Sequence, residues 1–248
     1  MTQAEAVKVA IEKLGGIATL GQISHTIFEI KDCIWNTKTP FASIRRIVRH
    51  TDGIYRIKPG LYGLEEYRKQ LEGKGIVAET ESNENSEDII VFNHSYYQGI
   101  LLELGNLKHF QTYVPNQDKN RTFINKKLED LRTVTDLPAF SFSNIIRRCS
   151  TIDAVWLNER NFPHSLFEVE HSTDIQNSLL KFNDLQDFNC RMYIVANGKR
   201  KEEYLKKIHY SAFSSLLNPV CRVEFKDYES LIKQYELAVE MSQISNSI

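Results

Sequence analysis

Short apolar segments alternate with longer amphipathic ones through the second half of the chain, and this alternation limits the possible folds more than any other feature of the sequence. The short segments are rich in β-branched and aromatic residues, which is typical of strands, whereas apolar residues three or four positions apart predict helices. The pattern predicts strands at 152–157, 166–172, 191–196 and 221–225, and helices at 94–105, 175–185, 201–210 and 227–241. Elements in this order predict an α/β fold, with helices on the faces of a central sheet.

Three acidic residues fall in the first two of these strands. Asp153 belongs to IDAVWL (152–157), and Glu168 and Glu170 belong to LFEVEHS. Side chains alternate across a strand, so Glu168 and Glu170 should point to one face, about 7 Å apart. The polar, proline-containing segment between the two strands predicts an antiparallel hairpin, which would bring Asp153 beside Glu168.

Carboxylates this close together raise each other's pKa unless a cation lies among them. Oxygen ligands favour a hard ion, so the cluster predicts a Mg²⁺ or Mn²⁺ site. Such an ion can polarise a phosphodiester and activate a water molecule. The alternative is that the ExE pair forms a solvated strand face. The apolar residues around the three acids favour the metal site, because they place the acids where burial is expected.

The stretch 152–185 resembles the catalytic hairpin and following helix of PD-(D/E)xK nucleases. The resemblance implies a restriction-endonuclease-like core with a mixed central sheet, in which Asp153, Glu168 and Glu170 are catalytic and Mg²⁺ or Mn²⁺ is the cofactor. It covers residues 91–230, and its specific part is the hairpin and helix. Glu170 departs from the pattern, since most members have lysine there. A glutamate could instead accept a proton from the attacking water or bind a second metal ion.

The same resemblance implies a further acidic ligand from the first core helix. Glu103 lies on the predicted helix 94–105, where many members of the family place such a residue. The implied metal ligands are therefore Asp153, Glu168 and Glu103. The alternative for Glu103 is an ordinary exposed helix residue. His171, which follows the ExE pair, is better explained as a core or supporting residue than as a catalytic one.

The first 64 residues predict a separate module. Apolar residues recur at helical spacing in 3–14 and 20–30, and a third helix that begins at a proline is expected over 40–50. Alternating apolar residues around KPG (58–60) then predict a β-hairpin. Three helices followed by a hairpin are typical of a winged helix-turn-helix domain.

Residues 4–64 resemble the HARE-HTH family of winged helices, which occurs in chromatin proteins, an RNA-polymerase subunit and restriction endonucleases. The matching segments are AVKVAIEKLGG, LGQISHTI, TPFASIRRIVRH and DGIYRIKPGLYGL. The third helix of such a module usually enters the major groove of double-stranded DNA, where arginine binds phosphates or guanine edges. The implied DNA-binding residues are Lys38, Ser43, Arg45, Arg46, Arg49, Arg56 and Lys58. The alternatives are a solvated basic face and a surface for protein contacts.

Charge is distributed unevenly along the chain, although its net value is only −1. Residues 1–64 carry nine Lys and Arg against five Asp and Glu, whereas residues 65–90 carry three against eight. The acidic segment also lacks hydrophobic periodicity, which predicts a flexible linker. The expected domains are a DNA-binding domain at 1–64, a linker at 65–90 and a nuclease domain at 91–248.

Several other classes of protein are not supported. No apolar run approaches the roughly 18 residues of a membrane helix, and the N-terminus lacks the apolar core of a signal peptide. The four cysteines are scattered, which predicts neither a zinc site nor a disulfide scaffold. Zinc-hydrolase and ATP-binding motifs do not occur. We therefore expect a cytoplasmic protein with reduced thiols.

The sequence thus predicts a metal-dependent endonuclease, similar to type II restriction enzymes, that hydrolyses phosphodiester bonds in double-stranded DNA at a specific or modified site. A double-strand cut usually requires two active sites, so a homodimer on DNA is expected. Two alternatives stay open. One is a DNA-binding regulator with a decayed nuclease domain, which the unusual Glu170 favours. The other is a repair or defence nuclease with the same chemistry.

Overall fold

The computed structural model describes residues 1–35, 39–80, 82–84 and 86–245, without the side chains of the last two. The chain forms two compact units. Unit 1 comprises Met1–Phe92 and Ile232–Ile248, and unit 2 comprises Asn93–Leu231. Within the described residues, no helix combines the length and the apolar character that crossing a membrane requires.

Unit 1 begins with helices and a small sheet in the predicted order. Its elements are α1 (Gln3–Lys13), β1 (Ile17–Thr19), α2 (Leu20–Thr26), α3 (Pro40–His50), β2 (Ile54–Lys58), β3 (Leu61–Leu64) and α4 (Arg68–Glu72). The three predicted helices and the hairpin are confirmed. Strand β1 was not predicted, because three residues are too few to show a period. It pairs with β3, which gives an antiparallel sheet of order β1-β3-β2.

Local sequence explains where these helices begin. Thr2 and Thr19 each form a capping box, in which the threonine hydroxyl accepts from the backbone N–H three residues on. Helix α3 begins at Pro40, whose missing N–H costs nothing in the first turn. The buried faces carry the predicted apolar residues, including Ala10, Ile23 and Ile44. Each amphipathic helix therefore places its apolar face in one shared core.

The C-terminal part of the chain completes unit 1. Residues 232–245 belong to a final helix, α10 (Tyr228–Ser245). A Cβ at Gly21 would lie 2.9 Å from side-chain atoms of Tyr235 and Val239, so these side chains would have to shift if Gly21 were replaced. The Tyr235 hydroxyl also lies 3.3 Å from the hydroxyl of Thr19. Nothing local in the sequence relates α10 to the first 64 residues, and their association was not predicted.

The segment expected to be a linker has local structure of its own. A single helical turn at Glu65–Tyr67 leads into α4, and Leu71 and Ile76 are buried. The next helix, α5 (Glu87–Leu107), begins seven residues before the predicted start at 94. The units divide at 92/93 rather than across an extended linker. Two buried apolar side chains thus anchor part of this acidic segment, and its role as a linker stays a prediction.

Unit 2 contains a mixed sheet with helices. Beyond α5, its elements are β4 (Gln111–Tyr113), β5 (Thr122–Phe123), β6 (Lys126–Lys127), α6 (Ser143–Cys149), β7 (Ala154–Leu157), β8 (Pro163–Glu170), α7 (Ile175–Asn183), β9 (Arg191–Ala196), α8 (Lys201–Ile208), α9 (Ser214–Leu217), β10 (Val223–Asp227) and the start of α10. The main sheet has the order β10-β9-β8-β7-β4. Strands β8, β9 and β10 are parallel, whereas β4, β7 and β8 pair antiparallel. The predicted mixed sheet flanked by helices is confirmed.

The register of the β7–β8 hairpin positions the acidic residues. Ala154 pairs with Phe167, so Asp153, one residue earlier, comes level with Glu168. Leu166 packs into the core formed with α7, and Glu168 and Glu170 follow on the same face by strand alternation. Phe167, on the opposite face, packs against Trp156, whose indole N–H donates to the carbonyl of Leu101 in α5. The acids therefore lie at one end of the sheet, with α7 on one side and α5 on the other.

Candidate active site

The three acidic residues are all buried. Asp153, Glu168 and Glu170 are 8%, 2% and 4% exposed. Asp153 is fixed across the hairpin, because its Oδ2 accepts from the backbone N–H of Val169 at 2.8 Å. The hydroxyl of Ser178 donates to both Glu168 and Glu170, which places these two carboxylates side by side. The structure therefore brings together the three residues that the sequence singled out as catalytic.

Helix α7 supplies most of the partners of the two glutamates. The ammonium of Lys181 lies 2.7 and 3.0 Å from the two carboxylate oxygens of Glu168, and it also donates to the carbonyl of Thr151 at 3.1 Å. Glu170 accepts from the hydroxyls of Thr173 and Ser178. Both glutamates are thus bound by donors on the α7 side of the sheet.

In both Glu168 and Lys181, the charge of the partner opposes the effect of burial on the pKa. Burial raises the pKa of Glu168 well above its usual value, and the neighbouring charge of Asp153 adds to the rise, whereas Lys181 and Ser178 oppose it. Burial alone would lower the pKa of Lys181, but the charge and hydrogen bond of Glu168, together with the charges of Asp153 and Glu170, outweigh burial and raise it. The charged form of Lys181 is therefore favoured beside a carboxyl group that burial makes hard to ionise.

Helix α5 contributes different groups on the other side of Asp153. His94 and Gln98 lie four residues apart, and therefore on one face of the helix. His94 Nε2 is 3.5 Å from Asp153 Oδ1 and 4.0 Å from Asp118 Oδ2. The side-chain nitrogen of Gln98 donates to Asp118 Oδ2 at 3.1 Å and to the backbone carbonyl of Asp153 at 2.9 Å.

Asp118 joins the site from the loop that follows β4. It is only 3% exposed, and its Oδ1 accepts from Arg121 Nε at 2.7 Å. The loop turns tightly here, with the Asp118 N–H donating to the carbonyl of Pro115. Burial alone would lower the pKa of His94, but contact with Asp153 and the charges of Asp153 and Asp118 outweigh it, so the pKa of His94 is raised.

One group of residues has the geometry of a cation site. One atom each of His94, Asp118 and Asp153 lies within 4.8 Å of the other two. This group shares Asp153 with the predicted ligand set of Asp153, Glu168 and Glu103 but differs in its other members. Glu103 lies nine residues beyond His94 on α5, which places it about 13 Å further along the axis and on the opposite side of the helix. The structure does not bring Glu103 to the face that His94 and Gln98 present.

Sequence reasoning assigned no role to four residues of this arrangement: His94, Gln98, Asp118 and Lys181. Asp118 lies in a loop, and a histidine and a glutamine on a helix have many ordinary explanations. Lys181 had the only local signal, since it lies on the helix directly after the hairpin. His171 makes a supporting contact, with its Nδ1 3.2 Å from the side-chain nitrogen of Asn93.

The residues expected to bind DNA from unit 1 fall into distinct environments. Arg46 and Arg49 are exposed on α3, and Arg56 is exposed on β2. Arg45 is half-buried and forms an ion pair with Glu236, with 3.3 Å between Nε and Oε2. The half-buried Ser43 donates its hydroxyl to the carbonyl of Thr39. Lys38 lies outside the described residues.

The expectation for Lys58 is contradicted by its burial. Its side chain is only 2% exposed, and its ammonium lies 4.3 Å from the centre of the Phe92 ring. Burial lowers its pKa to about 7, although the charge of Glu79 opposes the change. A side chain in this position cannot reach a DNA phosphate. The sequence placed Lys58 correctly on the hairpin but could not show that it points inward.

Comparisons with known proteins point to one family. Residues 75–246 match the family described as the type II restriction enzyme NmeDI C-terminal domain. The type II restriction enzyme NmeDI of Neisseria meningitidis serogroup C is 22% identical over 165 residues, which are 62% of this chain and 46% of the relative. The chain thus spans about half the length of the curated relative that it matches. No solved structure matches. The matched range includes the acidic and basic residues of the candidate active site, which are His94, Asp118, Asp153, Glu168, Glu170 and Lys181.

Proposed function

The chain belongs to the family of the type II restriction enzyme NmeDI C-terminal domain, and on that premise we propose that it is a metal-dependent endonuclease of the PD-(D/E)xK type. Its substrate is double-stranded DNA, cut at a specific or modified site. The observation that carries the proposal is the convergence of Asp153, Glu168 and Lys181 at the end of the β7–β8 hairpin. Two buried carboxylates and a half-buried ammonium at a sheet end are the groups that phosphodiester hydrolysis needs.

The acidic residues fit a divalent cation. Asp153 uses Oδ2 for the Val169 N–H, and its Oδ1, which lies 3.5 Å from His94 Nε2, is the oxygen that would bind an ion. Glu168 Oε1 accepts only from Lys181 among the described donors, so a lone pair is left, because each carboxylate offers about four acceptor positions. A Mg²⁺ or Mn²⁺ ion at such a site supplies Lewis-acid chemistry for a phosphate and lowers the pKa of an attacking water.

In this proposal, Lys181 supplies the cation that the family pattern places at position 170. The family pattern has lysine at position 170, where this chain has glutamate and therefore has no cation. Lys181 brings an ammonium to Glu168 from helix α7 instead. In the proposed reaction this ammonium faces the developing negative charge of the phosphate. Glu170, held by Thr173 and Ser178, accepts the proton of the attacking water.

Unit 1 supplies DNA binding in this proposal. Its element order and its sheet of order β1-β3-β2 support a winged helix of the HARE-HTH type. Arg46, Arg49 and Arg56 present cationic groups at the surface for phosphates or base edges. Arg45 contributes once its ion pair with Glu236 opens. A homodimer on DNA would place one active site at each strand.

The experiment that tests the proposal is plasmid cleavage with Mg²⁺ or Mn²⁺. The substrates are unmodified, CpG-methylated and hydroxymethylated DNA. Asp153→Asn is the informative variant, because asparagine retains an acceptor for the Val169 N–H and removes only the charge. Cleavage by this variant should fall at least about 10³-fold. The matched control is Asp187→Asn, which changes an exposed acid and should leave cleavage intact.

Each outcome of this experiment is informative. Discrete fragments that Asp153→Asn fails to produce support a site-specific nuclease, and the substrate that is cut defines its class. Equal cleavage by wild type and Asp153→Asn rejects the assigned site. Absence of cleavage on every substrate, with DNA binding retained, would favour a regulator with a decayed nuclease unit.

A further inference from the structure

Each of the two aspartates on the α5 side turns one oxygen towards His94. Asp118 binds Arg121 through Oδ1, and Asp153 binds the Val169 N–H through Oδ2. Their other oxygens, Asp118 Oδ2 and Asp153 Oδ1, face the same nitrogen, Nε2 of His94. Three ligand atoms from three separate segments thus converge on one point.

The distances between these atoms suit an ion better than hydrogen bonds. His94 Nε2 lies 3.5 Å from Asp153 Oδ1 and 4.0 Å from Asp118 Oδ2, whereas N–H···O bonds span about 2.7–3.2 Å. Two ligands about 2.1 Å from a shared ion lie about 3.0 Å apart at a right angle and about 4.2 Å apart when opposite. Both measured separations fall within this interval.

A second observation comes from Gln98, which is 0% exposed. Its amide nitrogen donates to Asp118 Oδ2 and to the carbonyl of Asp153, so the amide group lies next to the cluster. Its Oε1 has no hydrogen-bond partner in the described part of the chain. A buried amide oxygen without a partner is costly, and a water molecule bound to an ion in the cluster would satisfy it.

We infer that His94, Asp118 and Asp153 bind a divalent first-row transition-metal ion of the Mn²⁺ type, with Gln98 Oε1 holding a water in its coordination shell. An imidazole nitrogen favours such ions over Mg²⁺ and Ca²⁺, which prefer ligand sets made of oxygen alone. The site lies on the side of Asp153 away from Lys181, so Asp153 bridges it to Glu168. Its role in catalysis rests on the proposed nuclease function, but its existence does not.

Mn²⁺ binding to the full chain tests this inference through the nitrogen ligand. Pulsed electron paramagnetic resonance detects the coupling between bound Mn²⁺ and an imidazole ¹⁴N nucleus. Wild type should show this coupling, and His94→Asn should lose it while binding Mn²⁺ at least about tenfold more weakly. The matched control is His109→Asn, since His109 is exposed beyond the end of α5 and asparagine tolerates its φ of 62°. Absence of coupling in wild type, or its retention in His94→Asn, overturns the site.

A second variant keeps the test valid if His94→Asn fails to fold. Asp118→Asn retains the imidazole, so nitrogen coupling should persist while Mn²⁺ affinity falls at least about tenfold. Unchanged affinity in a folded Asp118→Asn protein overturns the inference. Cleavage assays separate this result from the proposed function. Mg²⁺-dependent cleavage without nitrogen coupling rejects the new site alone, whereas coupling without cleavage by any cation rejects the nuclease and keeps the site.

Discussion

The side chains of Lys58 and Lys181 are both shielded from water, and their pKa values shift in opposite directions. Lys58 in unit 1 lies over the ring of Phe92, and burial lowers its pKa to about 7. Lys181 in unit 2 is also largely buried, but it touches both oxygens of Glu168, whose charge raises its pKa. At Lys58 burial outweighs the charge of Glu79, whereas at Lys181 the contact with Glu168 and the surrounding charges together outweigh burial.

The contrast separates a lysine that serves packing from one that belongs to a charged site. An aromatic ring attracts a cation only weakly, and at Lys58 the ring of Phe92 and the charge of Glu79 together do not offset the loss of water. A carboxylate at 2.7 Å does offset that loss, and it also needs the lysine, because Glu168 is itself buried. We therefore expect Lys58 to tolerate neutral substitution better than Lys181, which compensates the charge of the buried Glu168.

The largest expected effect is that of Lys181→Met. This change leaves Glu168 as a buried carboxylate without its cation, and breaking such a pair costs about 3–5 kcal/mol. Urea unfolding at neutral pH should show the loss. Cleavage should also fall about 10²–10³-fold if the ammonium stabilises the transition state. Loss of stability without loss of cleavage would restrict Lys181 to a structural role.

The pH dependence of the same variant has a definite sign. The folded-state pKa of Glu168 is already raised, and removing Lys181 raises it further. A raised carboxyl pKa gives stability at low pH that is lost as the pH climbs through the folded value. The stability difference between wild type and Lys181→Met should therefore grow from pH 5 to pH 8. A constant difference would mean that the lysine contributes packing alone.

Lys58→Met should behave in the opposite way. Between pH 7 and 10 the unfolded chain keeps a proton on Lys58 that the folded chain releases, so wild-type stability rises with pH. The difference from Lys58→Met should change by up to about 1.4 kcal/mol per pH unit across this range. Urea titrations at pH 7, 8 and 9 measure it. A flat profile would show that Lys58 stays charged and would weaken the contrast with Lys181.

The smallest expected effect extends the comparison to the arginines of α3. Arg45 has Glu236 as a partner, whereas Arg46 and Arg49 are exposed. Each phosphate contact contributes about −0.9 to the slope of log affinity against log salt. Replacing Arg46 and Arg49 by alanine should reduce the steepness by about 2, and Arg45→Ala should reduce it by less. Equal slopes for all variants would remove α3 from the DNA interface.

Local pattern was sufficient for much of the fold. The helices of unit 1, the β7–β8 hairpin and the placement of Asp153 beside Glu168 followed from periodicity and strand alternation. These features depend on residues that are close in sequence, so they can be predicted from local patterns. The resemblance to PD-(D/E)xK nucleases then implied a catalytic role for the acidic residues on that hairpin.

The missing parts depend on contacts between distant segments. His94 meets Asp118 and Asp153 only because helix, loop and hairpin converge, and no local motif encodes that meeting. Likewise, the hairpin pattern predicted the position of Lys58 but not the direction of its side chain. Its charge suggested a contact with a DNA phosphate, whereas in the structure the side chain is buried against Phe92.

The order of the units along the chain affects how this protein could exchange parts with others. Residues 93–231 interrupt unit 1, whose second portion begins at Ile232. A truncated chain ending at residue 92 would lack Tyr235 and Glu236, the partners of Thr19 and Arg45. Recombination that replaces unit 2 must therefore use two crossover points rather than one. Unit 1 would keep its contacts in such an exchange only if both of its portions stayed together.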